Sequence, residues 1–425
     1  MLEQVLWSAG LDQPMATGGP LPADTDVAII GGGITGLAPA LELARGGARV
    51  ALLEAQQLGW GASSRNGGMV LTGLKLDAAA LIKAYGPQLA QRLFRSSLAA
   101  IDAVEQLVRE ERISCDFVRS GHLLVAAKPS HVAALSHEQA TLRDQFGHST
   151  ELIGQADLAQ EIGSLAYYGG LVDRRSAALN PARYVAGLAS AAERAGAGLH
   201  SGAAVTRVGR QKGGFCLHLA QGELRADQVL IASGGYTGRA TPALRRKIFP
   251  LGSYIIATEP LGDDLARSLI PHGRMVFDTR HLLSYYRLTP DRRMLFGGRA
   301  AFFPETPRTV RESAIMLQRA MVQVFPQLRD TPLAYAWGGT LDAAFDLMPH
   351  AGERDGLRFA LGYAGHGVAL ATYLGRLLAA QMLGRQADNP FASIPFPGAP
   401  LGLYNGQPWF LPFAGAWYRW LDMVG

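Results

Sequence analysis

The stretch from Asp26 to Ala55, DVAIIGGGITGLAPALELARGGARVALLEA, constrains this chain more than any other. An apolar strand runs into Gly31, Gly33 and Gly36 in a G-x-G-x-x-G spacing, followed by a helix and a second apolar strand that ends at Glu54. Gly31 permits the tight turn, Gly33 lets a pyrophosphate approach the backbone, and Gly36 lets the helix close on the strand. Unpaired N–H groups at the helix start, around Ile34 and Thr35, stabilise phosphate charge. Glu54, with Ala55 beside it, stands where a carboxylate accepts both hydroxyls of an adenosine ribose. The pattern predicts a Rossmann-type dinucleotide site and leaves NAD and FAD equally open. Pro39 removes a backbone bond inside the first helix, which predicts a local bend there.

Size and composition narrow the class. A chain of 425 residues, 48% hydrophobic and 18% charged, is globular and long enough for two domains. Its net charge of +5 comes mostly from scattered arginines, which argues against a nucleic-acid partner. Only Cys115 and Cys216 occur, with no CxxC, so neither a disulfide framework nor a cysteine-rich metal site is expected. No His–carboxylate cluster shows metal spacing, and no metal is expected. The cysteine usage and the lack of a signal-peptide pattern suit the cytoplasm. Prolines at 390, 395, 397, 400, 408 and 412 forbid a continuous spanning helix near the end of the chain. That region reads as an extended arm, and membrane contact through PWFLPFAGAWYRW is the lesser reading.

A second stretch, GWGASSRNGGMV from Gly59 to Val70, chooses between the nucleotides. It resembles the segment after the second strand in the D-amino-acid-oxidase-like superfamily of flavoenzymes, where it passes along the pyrophosphate and the isoalloxazine ring. The resemblance continues through NPARYVAGLASAAERAGAGLHSGAAVTRV, VLIASGGYTG and LGYAGHGVALATYLGRLLA. Within the superfamily, SYYRLTPDRRMLFGG and WGGTLDAAFDLMPHAG are most similar to the gamma-glutamylputrescine oxidoreductase branch, with the glycine and sarcosine oxidases nearby. The resemblance implies FAD, held by Gly61, Ala62, Ser63, Ser64, Arg65, Asn66, Gly67 and Gly68. It adds a backbone contact to adenine near Val205, contacts at Ser233 and Gly234, and the helix start at Gly365, His366, Gly367 and Val368 facing the flavin pyrimidine. N–H donors at that helix start favour the charge of a reduced flavin. Covalent members use a Cys or His near these motifs, and the SSRNGG segment has neither, so non-covalent FAD is expected.

The implied fold is α/β, with an α+β substrate part. It comprises a Rossmann-like FAD-binding domain with a parallel sheet and a mostly antiparallel substrate domain, both built from discontinuous segments. Residues 1–112, 151–246 and 337–390 are assigned to the first, 113–150 and 247–336 to the second, and 391–425 to the arm. Residues 1–22 read as an irregular leader with a short helix near Trp7. Continuous helical periodicity runs to about Arg112, CDFVRSGHLLVAA reads as two strands joined at Ser120–Gly121, and Asn180–Pro181 opens a helix.

The implied reaction takes a hydride from the carbon beside a neutral amine and yields an imine that hydrolyses. It needs an apolar pocket more than an obligatory base. Tyr285 and Tyr286 alternate on one strand, so only one faces the pocket and the other is core. Arg287 shares the side of Tyr285 and could hold a substrate carboxylate, with a surface ion pair as its alternative. Trp337 reads either as an aromatic wall or as core, and His366 as a residue beside the flavin. No lysine stands where oxidases of this superfamily keep one to assist oxygen. The nearest is Lys247, with Arg299 or His366 as substitute positive charges, so oxygen and another electron acceptor both stay open. The expected substrate is a small or acylated amine. The alternatives are a glycine- or sarcosine-type amino acid and a non-catalytic flavoprotein subunit.

Overall fold

The computed structural model describes residues 1–9, 11, 19–298 and 306–424, without the side chains of 401, 419, 423 and 424. The apolar run Val27–Ile30 lies inside a sheet ordered His350–Arg354, Leu357–Leu361, Gly222–Ile231, Asp24–Ile30, Val50–Leu53, Gly198–His200. All neighbours but the first pair are parallel. Continuous apolar strands such as Val50–Leu53, buried at every residue, are what a sheet covered on both faces requires. Helices Ile34–Arg45, Pro181–Arg194 and Gly367–Met382 contribute to the core on one face. Asn180 caps the second of these, its side chain accepting from Arg183 N at 3.1 Å.

The helix carrying Pro39 runs from Ile34 to Arg45 as one element. The proline ring packs against Gly375 of the Gly367–Met382 helix, where a Cβ would lie 2.7 Å from Pro39 Cδ. The proline thus marks a close helix crossing. The helix expected up to Arg112 is instead two helices within Ala78–Glu110, broken at Gly86 (φ 75°, ψ 161°) because Pro87 excludes the helical conformation from the residue before it.

The second sheet has eight strands, ordered Leu333–Ala344, Ile248–Thr258, Met294–Gly298, Ser284–Leu288, Met275–Asp278, His122–Val125, Gly169–Asp173 and Glu151–Gly154. Only the Met275–Asp278 and His122–Val125 pair is parallel. The strands at 151–154 and 169–173 therefore belong with this sheet, not with residues 174–246 as the boundary at 150 supposed. Likewise Leu333–Ala344 crosses the boundary expected at 336. Strands of four or five residues carry too little periodicity to reveal their partners. The two strands expected around Ser120–Gly121 reduce to one, with Val118 making an isolated bridge to Ala178.

The arm at 391–425 is also corrected. It ends in a helix, Leu411–Val424, because Pro412 falls in the first turn, where its missing N–H costs nothing. Phe413, Trp417 and Trp420 are exposed on this helix, and Asp422 accepts from the backbone N–H groups of His281 and Leu282. Among the described residues no helix is long and apolar enough to cross a membrane.

Candidate active site

A cavity of about 1170 Å³ lies between the two sheets. That exceeds the usual ~300–1,000 Å³ of a small-molecule pocket and suits a long ligand plus a second, smaller one. Its first end is the glycine turn. Gly31 has φ +116°, and a Cβ there would lie 2.5 Å from the Ala232 carbonyl oxygen. A Cβ on Gly36 would lie 1.9 Å from the Gly31 oxygen, so Gly36 serves helix–strand closure and does not itself line the cavity. Gly31, Gly33, Ile34 and Thr35 do line it; Gly33 has no side chain to cap the helix, and Ser63 Oγ accepts from Ile34 N at 3.0 Å. Glu54 and Ala55 line the same end. The Glu54 carboxylate accepts from Gly32 N at 2.7 Å and Gln56 N at 2.8 Å, which fixes it while leaving lone pairs free. Val205, Ser233 and Gly234 complete this region.

Gly61, Ala62, Ser63, Arg65, Asn66 and Gly67 line the middle of the cavity, whereas Ser64 and Gly68 do not. Gly68 (φ +68°) is needed behind the wall, since a Cβ would meet the Leu179 oxygen at 2.1 Å. The carbonyls of three successive residues in this segment are each held by a large buried donor. Trp337 Nε1 donates to Arg65 O at 2.8 Å, Trp7 Nε1 to Asn66 O at 2.8 Å, and Arg287 Nε to Gly67 O at 2.8 Å. Arg287 also donates through a terminal nitrogen to Leu179 O at 2.7 Å and stacks on the Trp7 ring.

Two expectations are thereby corrected. Arg287 does face the same way as Tyr285, but it is 4% exposed and lies under the segment rather than in the cavity. Neither a substrate carboxylate nor a surface partner reaches it. Burial pulls its pKa down to about 10. Trp337 is likewise no cavity wall, for its indole braces Arg65 from behind.

The far wall is one face of the second sheet. Cross-strand pairing aligns Leu171, Leu124, Phe277, Tyr285, Gly297 and Ile255 in a row. All but Gly297 line the cavity. Tyr285 rests against Gly297, where a Cβ would lie 2.3 Å from the ring, and its hydroxyl pairs with Ser253 Oγ at 3.1 Å. Burial pushes that phenol up to about 12. Tyr286 takes the opposite side, fully buried against Phe296, with its hydroxyl donating to Tyr167 at 2.9 Å.

Gly365, His366, Gly367 and Val368 line the cavity at the start of the Gly367–Met382 helix, which no side chain caps. His366 Nδ1 is buried without a hydrogen-bond partner. Burial first, then the neighbouring Lys75 and His122, hold His366 down at about 3. It is therefore neutral and does not supply the positive charge suggested for it. Arg299 lies outside the described residues, and Lys247 donates to Phe396 O at 2.7 Å away from the cavity. Lys75, which sequence reading passed over, lines the cavity, as do His122 and Asp173. Alternation along GHLLVAA would have put His122 and Leu124 on one face, but nothing local identified that face as the inner one.

A hairpin outside the cavity brings Cys216, His218 and Glu223 within 4.8 Å of one another, a spacing the sequence did not disclose. The three are satisfied locally: His218 Nδ1 pairs with Glu223 at 2.9 Å and Arg207 donates to His218 Nε2 at 2.7 Å.

Residues 26–381 match the family model described as FAD dependent oxidoreductase, known as DAO. The chain belongs to this family. Gamma-glutamylputrescine oxidoreductase of Escherichia coli is 32% identical over 94% of this chain and 93% of that protein. Glycine oxidase of Geobacillus kaustophilus is 27% identical over 87% of the chain and 96% of that protein. The crystal structure of that glycine oxidase superposes with a TM-score of 0.75 at 23% identity, covering 89% of this chain and all of the other, a likeness of fold.

FAD fits the residues of this family member. A Cβ at Gly31, Gly33 or Gly36 would collide with the atoms that shape the turn, and the helix starts at Gly33 and His366 both open on one continuous space. Gly33 to Thr35 and Ser63 would hold the pyrophosphate, Glu54 the ribose, and the 65–67 segment with Gly365–Val368 the flavin end.

Proposed function

We propose that this flavoenzyme oxidises the C–N bond of a small or acylated amine to an imine, which water hydrolyses to an aldehyde. The observation that carries the reading is the apolar row Leu171, Leu124, Phe277 and Tyr285, which lines the same cavity as the braced 65–67 segment and meets it where Tyr285 packs against Gly67. FAD supplies the hydride acceptor. The protein supplies an apolar, water-poor wall that favours the uncharged amine and fixes its carbon. A gamma-glutamyl-diamine type of substrate is supported by the 32% identity to gamma-glutamylputrescine oxidoreductase over nearly the whole chain. A glycine- or sarcosine-type substrate is the weaker reading, since the arginine expected to hold its carboxylate is committed to Gly67 and Leu179.

Anaerobic mixing with gamma-glutamylputrescine, putrescine, glycine and sarcosine decides the matter. The flavin band at about 450 nm is expected to bleach fastest with the acylated diamine. A flavin that stays oxidised with all four would instead indicate a non-catalytic flavoprotein.

The flavin is proposed to be non-covalent and the enzyme cytoplasmic. Neither Cys115 nor Cys216 lines the cavity, and both thiols are free. Acid precipitation is expected to release all the yellow colour to the supernatant, and colour retained by the pellet would refute non-covalent attachment. Oxygen or another acceptor reoxidises the flavin.

A further inference from the structure

His122 stands on the second sheet directly opposite Asp173 of the neighbouring strand. Its ring stacks on Phe277, with centroids 5.0 Å apart, and both rings line the cavity. Behind the ring runs a chain of hydroxyls. His122 Nδ1 is 2.8 Å from Ser176 Oγ, Ser176 Oγ is 3.4 Å from Thr72 Oγ1, and Thr72 Oγ1 donates to Asp173 Oδ2 at 2.6 Å. Ser176 Oγ also accepts from Thr72 N at 3.0 Å, and we take the tautomer in which Nδ1–H donates to Ser176, so that every proton in the chain points toward the carboxylate. That tautomer leaves a lone pair on Nε2, which has no hydrogen-bond partner among the described residues.

Asp173 is 4% exposed and also bonded by His148 Nε2 at 2.7 Å. Burial alone would raise its pKa, but the hydrogen bonds from His148 and Thr72 hold it below the ordinary carboxylate range, so it is an ion at neutral pH. This anion, also held by Arg175 N at 2.8 Å, stabilises positive charge on His122 through Thr72 and Ser176.

We propose that His122 is a catalytic residue that takes a proton from the ammonium of the bound amine through Nε2. The inference rests on the amine-oxidation reading. One N–H bond of the ammonium breaks and its electron pair stays on the substrate nitrogen. The proton joins Nε2, nothing is oxidised or reduced, and the imidazolium returns its proton to solvent between turnovers. The free amine so formed is the species from which hydride leaves.

The charges facing His122 agree. Burial lowers its pKa, outweighing Asp173, while His148 and Arg274 act in the same direction as burial. Arg274 is itself bound by Glu161. Lys75 and the neutral His366 also line the cavity. At neutral pH His122 is therefore an uncharged base.

The test is stopped-flow bleaching of the flavin by gamma-glutamylputrescine across pH, with flavin content and melting temperature recorded for each variant. In the wild type the bleaching rate is expected to be level above about pH 6.5, where an unperturbed histidine is already neutral. His122→Asn is expected to be slower at pH 7 by about 10²-fold, the scale of a lost general base. Its rate then climbs about tenfold per pH unit toward the amine pKa, because only pre-formed free amine reacts.

Ser176→Ala keeps the ring and cuts its link to Asp173. Imidazolium is then less stable, the His122 pKa falls, and the acid limb of the profile moves to lower pH. Parallel profiles for wild type and His122→Asn, or an unmoved acid limb in Ser176→Ala, would overturn the proposal while leaving amine oxidation intact. A wild-type flavin that no amine bleaches would remove both.

Discussion

Gly36→Ala is expected to yield protein with little or no bound flavin. The added Cβ would stand 1.9 Å from the Gly31 carbonyl oxygen, a backbone atom that cannot swing aside. Relief requires the Ile34–Arg45 helix to lift from the Asp24–Ile30 strand by more than an ångström, carrying its first-turn N–H groups out of line with the phosphates. Overpacking of this kind costs about 1–3 kcal/mol or more in a well-packed site. Expressed as FAD affinity, that is roughly a ten- to hundred-fold loss. Flavin per protein, read from visible absorbance after gel filtration and again after incubation with excess FAD, measures it. Gly262→Ala is a suitable control, because a Cβ there meets nothing within 4 Å and the site is remote from the cavity. Equal flavin content in Gly36→Ala and Gly262→Ala would show that helix–strand closure at Gly36 does not govern the phosphate site.

The contrast between Gly36 and Arg287 explains what could be read from the chain alone. The glycine turn, its helix and the acid at Glu54 lie within 30 residues, and each position has a local steric reason. Such a motif is legible because its partners are its neighbours. The bracing of the 65–67 carbonyls is of another kind. Arg287 is 220 residues from Gly67, and Trp337 is 272 from Arg65. Strand alternation correctly sent Tyr285 and Arg287 to the same side and Tyr286 to the other. It could not tell that the side facing the flavin segment is covered at Arg287 and open at Tyr285. The substrate wall failed to show for the same reason. His122, Asp173 and Phe277 come from three strands whose pairing is set by tertiary context, and each alone looks like ordinary core or surface. Resemblance to the flavoenzyme superfamily filled the cofactor half of the site, where motifs are contiguous, and added little on the substrate half.

Arg287→Met is expected to loosen the flavin segment and the whole fold, with little selective effect on substrate affinity. Methionine fills much of the same volume but cannot donate, so the carbonyls of Gly67 and Leu179 lose their partner in a dry environment. Each buried carbonyl left unpaired costs about 1–3 kcal/mol, together roughly 2–5 kcal/mol. At the few degrees per kcal/mol typical of larger domains, the melting temperature should fall by roughly 5–10 °C. Flavin retention should fall with it, because Gly67 O is no longer anchored and the segment around Asn66 can shift in the cavity. Arg287→Lys should recover only part of the loss. A single ammonium cannot reproduce the fork that reaches both carbonyls, and it stacks less well on Trp7. The decisive comparison sets KM, measured on the flavin-loaded fraction, against melting temperature in the same variant. A KM raised a hundred-fold with an unchanged melting temperature would return Arg287 to the role of a substrate-carboxylate clamp. A lowered melting temperature with KM within a few-fold of wild type would establish that this arginine acts through the backbone it holds.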